Sequence, residues 1–435
     1  MYKNKMIFLF SVIFLTAVII FNGCFGGKKK NKNEITLLMW GRAEEIKAVD
    51  NFIKEFNKIY PDIKVRRIHT SQYYDKLQTM IAGGTPPDVL YMGSDYFPSY
   101  VKKDSLLDLT PYIENDPETN LPPFNIKDYF KETVKPFMFK GKYYGIPKDF
   151  TTMVLYYNKD IFDREGIKYP DANWTWNDFR KVAKSLTKDL NGDGRIDQYG
   201  FVFETWLGYW ISWIWQNNGK IFDEKRGKYV IGKEPYLSRN VETLQFLYDL
   251  MYKYKVAPTI QETHDMGTSE LFETGKIAMC TYGRWRTLEL KNKRTFRWDV
   301  AVLPKNKKRA SALFTVCYAI AKNSKHKLEA WKLLKFLVGK EGQISTAESC
   351  LAVPSLKSIA LSKHFFEPQA LSIKVNAKVF LDQLKYSYIM PATDYAPEVN
   401  DIINRNMDEI FVNKKPIKEV LIKIQNEIDK LYKSE

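Results

Sequence analysis

Glu34-Ile35-Thr36-Leu37-Leu38-Met39-Trp40 begins the stretch that decides the fold. It is short, apolar and rich in β-formers, which is the pattern of a buried strand. Ile46, Val49, Phe52, Ile53, Phe56 and Ile59 follow at the spacing of one helical face, so a helix is expected from about Arg42 to Tyr60. Pro61-Asp62 breaks it. Ile63 to Ile68 reads as a second strand, and Tyr73 to Ala82 as a second helix closed by Gly83-Gly84. Thr85-Pro86-Pro87 then turns the chain into Asp88-Val89-Leu90-Tyr91-Met92, a third strand. Strand and helix in alternation predict an α/β fold with a mostly parallel sheet flanked by helices. Ligands of such sheets bind beyond the carboxyl ends of the strands. That rule points to Trp40, to Ser71-Gln72-Tyr73 and to Gly93-Ser94-Asp95-Tyr96.

Downstream the same style continues. Helices are expected at Thr175 to Thr187, Asn240 to Tyr254, Thr268 to Thr274, Lys327 to Gly339, Pro397 to Phe411 and Pro416 to Tyr432. A chain of 435 residues exceeds one hydrophobic core and calls for two or three domains. With 45% apolar and 27% charged residues it has an ordinary globular composition. The net charge of +16 is spread along the chain, as in Lys325-His326-Lys327 and Lys414-Lys415. No arginine-rich helix or RNA-binding aromatic signature accompanies it, so the charge reads as a solvated surface near an anionic envelope rather than a nucleic-acid site.

The first residues set location. Lys3 and Lys5 precede an apolar run from Met6 to Phe21, then Phe21-Asn22-Gly23-Cys24 and a basic tether to Asn33. This is the layout of a secretory signal. Cys24 directly after it resembles the lipobox of bacterial lipoproteins, with Phe21 and Asn22 standing where Leu and a small residue are usual. That resemblance implies a signal over 1–23, a lipidated Cys24 and an anchor on the outer face of the cell membrane or in the periplasm. An uncleaved anchor and plain secretion are the competing readings, and all three export the rest of the chain. Cys280, Cys317 and Cys350 remain, an odd number without a Cys-x-x-Cys pair, and read as buried apolar residues.

Several ordered segments carry a wider resemblance. They include Tyr74-Asp75-Lys76-Leu77 with Ala82-Gly83-Gly84-Thr85-Pro86-Pro87-Asp88-Val89, and Gly145-Ile146-Pro147 leading to Tyr156-Tyr157-Asn158-Lys159-Asp160-Ile161-Phe162. Trp174-Thr175-Trp176-Asn177-Asp178-Phe179, Phe272-Glu273-Thr274-Gly275-Lys276 with Gly283-Arg284-Trp285, and Glu329-Ala330-Trp331 follow in order. From Ile35 to Leu431 the chain resembles the extracellular solute-binding proteins of sugar ABC transporters, the group that contains the maltodextrin-binding protein. The resemblance implies a type II periplasmic-binding-protein-like fold of two α/β lobes with ligand trapped between them. By analogy, lobe one takes 35–147 and 316–364 and lobe two takes 148–315. The C-terminal helical part, 365–435, belongs mainly to lobe two, and 24–34 form the tether. Hinges are expected near Pro147-Lys148-Asp149 and Phe314-Thr315-Val316, where relatives often carry glycines at the second hinge and this chain carries Leu313 and Phe314. The implied function is capture of a carbohydrate, an oligosaccharide by aromatic density, and delivery to the membrane permease of an ABC importer. A surface lipoprotein serving a sensor or adhesion role is the alternative on the same fold. A monomer is expected.

Sugars offer flat apolar faces and outward hydroxyls, so their binders need aromatic platforms beside planar polar groups. Trp206 to Trp215 holds five aromatics in ten residues. Trp206 and Trp210 are the candidates there, against packing into the lobe core. Trp285 matches the stacking tryptophan of the family's Gly-x-Trp loop. Trp40, Asp95 and Gln72 follow from the strand ends, and Asp149 from the hinge. Arg284 is a further candidate, with a structural carboxylate as its other partner. Asp189, Asn191, Asp193 and Asp197, with Gly194 at the sixth position, match most of a calcium loop, but Gly200 stands at the twelfth position where the bidentate glutamate belongs. A structural calcium is the only cofactor that the motifs suggest. No Gly-x-Ser-x-Gly, His-Glu-x-x-His or phosphate loop is present, so catalysis is not expected.

Overall fold

The computed structural model describes residues 34–264, 267–292 and 295–433. The readings that fall on residues 1–33, including Cys24, lie outside them. The opening stretch forms β1 (Glu34–Met39), α1 (Ala43–Ile59), β2 (Lys64–His69), α2 (Tyr73–Ala82) and β3 (Val89–Gly93). β1 lies between β2 and β3 and pairs parallel with both, which is why Ile35 to Met39 are all buried. α1 covers this sheet with Val49 and Phe56. The Pro-Pro-Asp turn ends in a structural pin. The Asp88 carboxylate accepts from the Thr36 N–H at 2.8 Å, from the Thr36 hydroxyl at 2.9 Å and from the Ser324 hydroxyl at 2.7 Å. It thereby satisfies the buried polar groups where β1, β3 and a later crossover meet.

The chain continues through β4 (Ile146–Thr152), β5 (Val154–Asn158), α3 (Trp176–Ser185), α4 (Leu207–Gln216) and α5 (Leu237–Tyr252). Then come β6 (Met279–Tyr282), α6 (Trp285–Leu290), β7 (Trp298–Ala301), β8 (Ser311–Ile320) and α7 (Lys327–Val338). It ends with β9 (Val353–Pro354), β10 (Ser387–Ile389), α8 (Ala396–Phe411) and α9 (Ile417–Leu431). α3 starts on a reciprocal cap: the Thr175 hydroxyl accepts from the Asp178 N–H, and Asp178 accepts from the Thr175 N–H at 3.0 Å. This explains the Trp-Thr-Trp-Asn-Asp segment as a helix start.

One sheet runs β9-β4-β8-β3-β1-β2 with β10 beside β8, and a second runs β6-β5-β7. Each lobe has its own core. Leu37, Phe56, Tyr91, Tyr318 and Trp331 belong to the first, and Leu155, Trp210, Trp213, Leu247 and Ile403 to the second. The two-lobed α/β architecture is as read from the sequence. The strand sense differs in lobe two, where a mostly parallel sheet was expected and β5 is antiparallel to both neighbours. β6 and β7 do run in one direction around α6, as a β–α–β unit should, but β5 is inserted between them with the opposite sense. In lobe one, β8 enters from the other lobe and is antiparallel to β3 and β4.

β4 and β8 are the crossings. Ile146 packs in the first core and Phe150 in a third cluster, while Ala312 packs in the second core and Cys317 in the first. The two expected hinge segments are therefore neighbours, with Val316 opposite Asp149, Thr315 opposite Phe150, and a register shift between Val316 and Cys317. Within 316–364, residues from Cys317 to Val338 complete lobe one, whereas Ala347 to Phe365 join the third cluster on the strands of lobe two. Cys280, Cys317 and Cys350 are free and buried, in line with their reading as apolar residues.

Candidate functional site

The cleft between the lobes holds a cavity of about 310 Å3 where the crossing strands pass. Trp40 and Arg42 line it from the loop after β1, Asp149 and Thr151 from β4, Phe314 and Val316 from β8, and Trp285 from the start of α6. Pleating explains the floor. Alternate residues of a strand share a face, so Asp149 and Thr151 look the same way as Phe314 and Val316 on the paired strand.

The walls are aromatic. In lobe one, Trp40 meets Tyr74 at 5.9 Å and Tyr91 at 5.2 Å, and Tyr74 stacks on Tyr96 at 3.4 Å with 7° between planes. In lobe two, Phe314 stacks with Trp206 at 5.5 Å and 24°, and meets Trp285 edge-on at 5.8 Å and 75°. Gly208 and Gly283 make the tryptophan positions accessible, because a Cβ on either would collide with the indole of Trp206 or Trp285 respectively.

Charge is concentrated at the hinge. Asp149, 7% exposed, is paired by the Lys148 ammonium, which also meets Glu45 at 2.9 Å and sits over the Tyr91 ring at 5.1 Å. Burial pushes the Asp149 carboxyl up, against the pull of Lys148. Burial opposes the charge on Lys148, but Asp149 and Glu45 outweigh it and hold its pKa above the ordinary lysine value. At the end of β3, burial also pushes the Asp95 carboxyl up, with its own N–H and that of Tyr96 partly offsetting this. The neighbouring Tyr96 hydroxyl is pushed up to about 12 by burial and by Asp95. Arg42 reaches across the cleft to Glu289 at 2.5 Å, and Glu289 is braced from behind by buried Arg286.

The structure brings Trp40, Asp149 and Trp285 together around the cavity, joins Trp206 to them through Phe314, and sets Asp95 beside Tyr74 and Tyr96 on the lobe-one wall. Gln72 is exposed at the entry to α2, outside the cavity lining. Two expectations are corrected. Trp210 is 0% exposed, packed in the lobe-two core with its indole N–H donating to the Thr205 carbonyl at 2.9 Å. The helix turns Trp210 and Trp213 inward and leaves Trp206, 41% exposed, just before its first turn. Arg284 is 1% exposed, with its guanidinium 4.2 Å from the Phe365 ring and 5.5 Å from Phe380. It serves the third cluster rather than the cleft, and burial lowers its pKa. Tyr96 lies in the strand-end segment that the sequence pointed to, whereas its stacking partner Tyr74 and the pairing of Lys148 with Glu45 were not foreseen, and Phe314 was expected only as a bulky hinge residue. A carboxylate near a lysine in the hinge sequence was the one local signal.

In the acidic loop, the carboxylates hold the loop's own backbone. Asp189 accepts from the N–H groups of Gly192 at 2.6 Å and Gly194 at 2.8 Å, and Asp197 accepts from that of Leu190 at 2.7 Å. The Gly194 N–H and, against burial, the other loop N–H groups lower the Asp189 pKa. Among the described residues no three His, Cys, Asp or Glu side chains converge as metal ligands. Nor, among them, is any helix long and apolar enough to cross a membrane.

Comparison with known proteins fits this geometry. An arabinooligosaccharide-binding protein of Bacillus subtilis is 30% identical over 268 residues, 59% of this chain and 56% of that protein. A galactooligosaccharide-binding protein of the same organism is 25% identical over 86% of this chain and 83% of its own length. Among solved structures, an ABC substrate-binding protein from Listeria monocytogenes in complex with cycloalternan superposes with a TM-score of 0.80. It is 29% identical, over 92% of this chain and 98% of that one. A maltose-bound protein of T. maritima, 23% identical over 92% of this chain and 99% of its own, shares the fold with a TM-score of 0.76. The pattern of the bacterial extracellular solute-binding proteins matches residues 42–344, and the chain belongs to that family.

Proposed function

We propose that the chain captures an oligosaccharide between its lobes and hands it to the membrane permease of an ABC importer. The observation that carries this reading is the cleft itself. Trp40, Trp285 and, beside Phe314, Trp206 give flat apolar faces on both walls, and the Asp149 carboxylate lines the cavity as an acceptor for hydroxyls, with Asp95 outside that lining, beside Tyr74, as a second. Stacking and charged hydrogen bonds are the two interactions a sugar ring can use at once. The sugar-binding names of the relatives support the same ligand class. The role is binding rather than catalysis.

Cys24 carries the finer proposal of location. Two acyl chains anchor stably where one is marginal, and a tether of some ten residues keeps the lobes beside the permease at high local concentration. Metabolic labelling with a radioactive fatty acid tests the anchor: label incorporated by the chain and lost in Cys24→Ala is expected.

The ligand class is tested by thermal shift of the chain lacking residues 1–24. The panel is mono- to pentasaccharides of glucose, arabinose, galactose and mannose. A ligand that binds only the folded state raises the melting temperature by mass action. A flat response across the panel removes the carbohydrate reading. Release of reducing ends would instead identify an enzyme.

A further inference from the structure

Phe314 lies where the floor of the cleft is a crossing strand, a place that normally calls only for regular pairing. Along β8, Phe314 and Val316 are half-buried toward the cleft, while Leu313, Thr315 and Cys317 are buried behind. Directly opposite, Thr151 cannot serve a ligand freely. Its hydroxyl accepts from the Arg284 N–H at 2.8 Å and donates to the Thr152 carbonyl at 3.1 Å. At this level of the floor, the apolar ring of Phe314 is therefore the surface presented to a ligand.

The ring also fixes what lies beside it. It is nearly parallel to Trp206 and nearly perpendicular to Trp285. It fills the gap between the two indoles, so that they and Phe314 form one bent aromatic surface. A ligand can lie across that surface but cannot descend between the tryptophans. We propose that Phe314 is a specificity-determining residue of the cleft, setting its depth and so the size of the saccharide accepted. This rests on the carbohydrate reading above. A cavity of about 310 Å3 is at the lower end of small-ligand sites, which run from about 300 to 1,000 Å3. The volume of one benzyl group is then a large share of the space available.

Calorimetric titration of the parent, Phe314→Ala and Phe314→Leu with di- to pentasaccharides of the four sugars above tests this. Leucine fills most of the same space without a flat face, so it separates filling from stacking. The Ala variant should bind the parent's preferred saccharide about tenfold more weakly and lose less, or gain, on a saccharide one or two units larger. The Leu variant should keep the parent's size preference. If parent and variants rank the saccharides identically, Phe314 sets no size limit and the proposal fails. If Phe314→Ala does not fold, Phe314→Val takes its place: the same shift toward larger saccharides is expected, and an unchanged ranking overturns the proposal, while a shift in Phe314→Leu as large as in the smaller variant would assign the selection to the ring's face and overturn the depth argument. A parent that binds none of the panel overturns the carbohydrate reading, and this proposal with it. A parent that binds while the ranking stays unchanged overturns only this one.

Discussion

Trp285 and Trp210 are both indoles on lobe two, and burial separates their roles. Trp285 is partly buried at the cleft and only borders the second and third clusters, so Trp285→Ala removes a stacking face at a smaller cost to the core than loss of Trp210. Affinity for the preferred saccharide should fall about tenfold, with the melting temperature lowered less than in Trp210→Ala; stacking of this kind is worth about 0.5–1.5 kcal/mol beyond buried area. Trp210→Ala empties the core instead. A loss of about 3–5 kcal/mol in unfolding free energy is expected, with binding by the folded fraction preserved. Denaturant unfolding and titration on both variants would reverse the assignment if the two effects exchanged places. Asp95 adds a pH test. Its pKa is raised in the folded chain, so between 3.8 and the raised value the folded state binds the proton more tightly than the unfolded one. The stability due to this group therefore falls as pH rises through that window. Asp95→Asn should melt higher than the parent at pH 7 and gain nothing below pH 3.8, while binding saccharide about tenfold more weakly through the lost charged acceptor. A variant that melts lower at pH 7 would show that the carboxylate is a structural partner.

At the scale of elements, the segment 189–197 and the helix after Trp206 show what a sequence can and cannot carry. The calcium-loop spacing is real, yet its oxygens close the turn by accepting the loop's own N–H groups. Melting curves with 1 mM EDTA and with excess calcium should coincide; a calcium-dependent rise would mean that the carboxylates turn outward to a metal. Elements were legible because they depend on local pattern: the stripe of α1, the Gly-Gly and Pro-Pro punctuation before β3, and the cap at Thr175. So were strand-end residues such as Trp40, since topology places them. Helix phase was harder. Trp206, Tyr209, Trp210 and Trp213 fall on one apolar arc by spacing, but only packing decides which part of that arc meets the core. Tyr96 was reachable by the strand-end rule, but its stack on Tyr74 was illegible for a different reason. It joins two elements, and no window of sequence contains both.

On the scale of the whole molecule, ion pairs among the described residues join the lobes, Arg42 with Glu289, and Lys102 of the Phe97–Lys102 helix with Asp394 ahead of α8 at 2.9 Å. Both must break if the lobes swing apart, so they stabilise the closed arrangement relative to any open one. Lys102 and Asp394 are both substantially exposed, and so is Arg42 though Glu289 is not, which limits the Lys102 pair to about 0–1 kcal/mol. That is small against folding but not against a balanced hinge. Ligand affinity scales with the fraction of molecules in the binding-competent state. Lys102→Ala is the cleaner probe, because Lys102 does not line the cavity whereas Arg42 does. Its affinity for the preferred saccharide should fall by about two- to fivefold, and small-angle scattering without ligand should show a larger radius of gyration. The difference from the parent should shrink at 1 M salt, where exposed charges are screened. Affinity and radius both equal to the parent's at low salt would mean that the pair forms only after closure is complete and does not bias it.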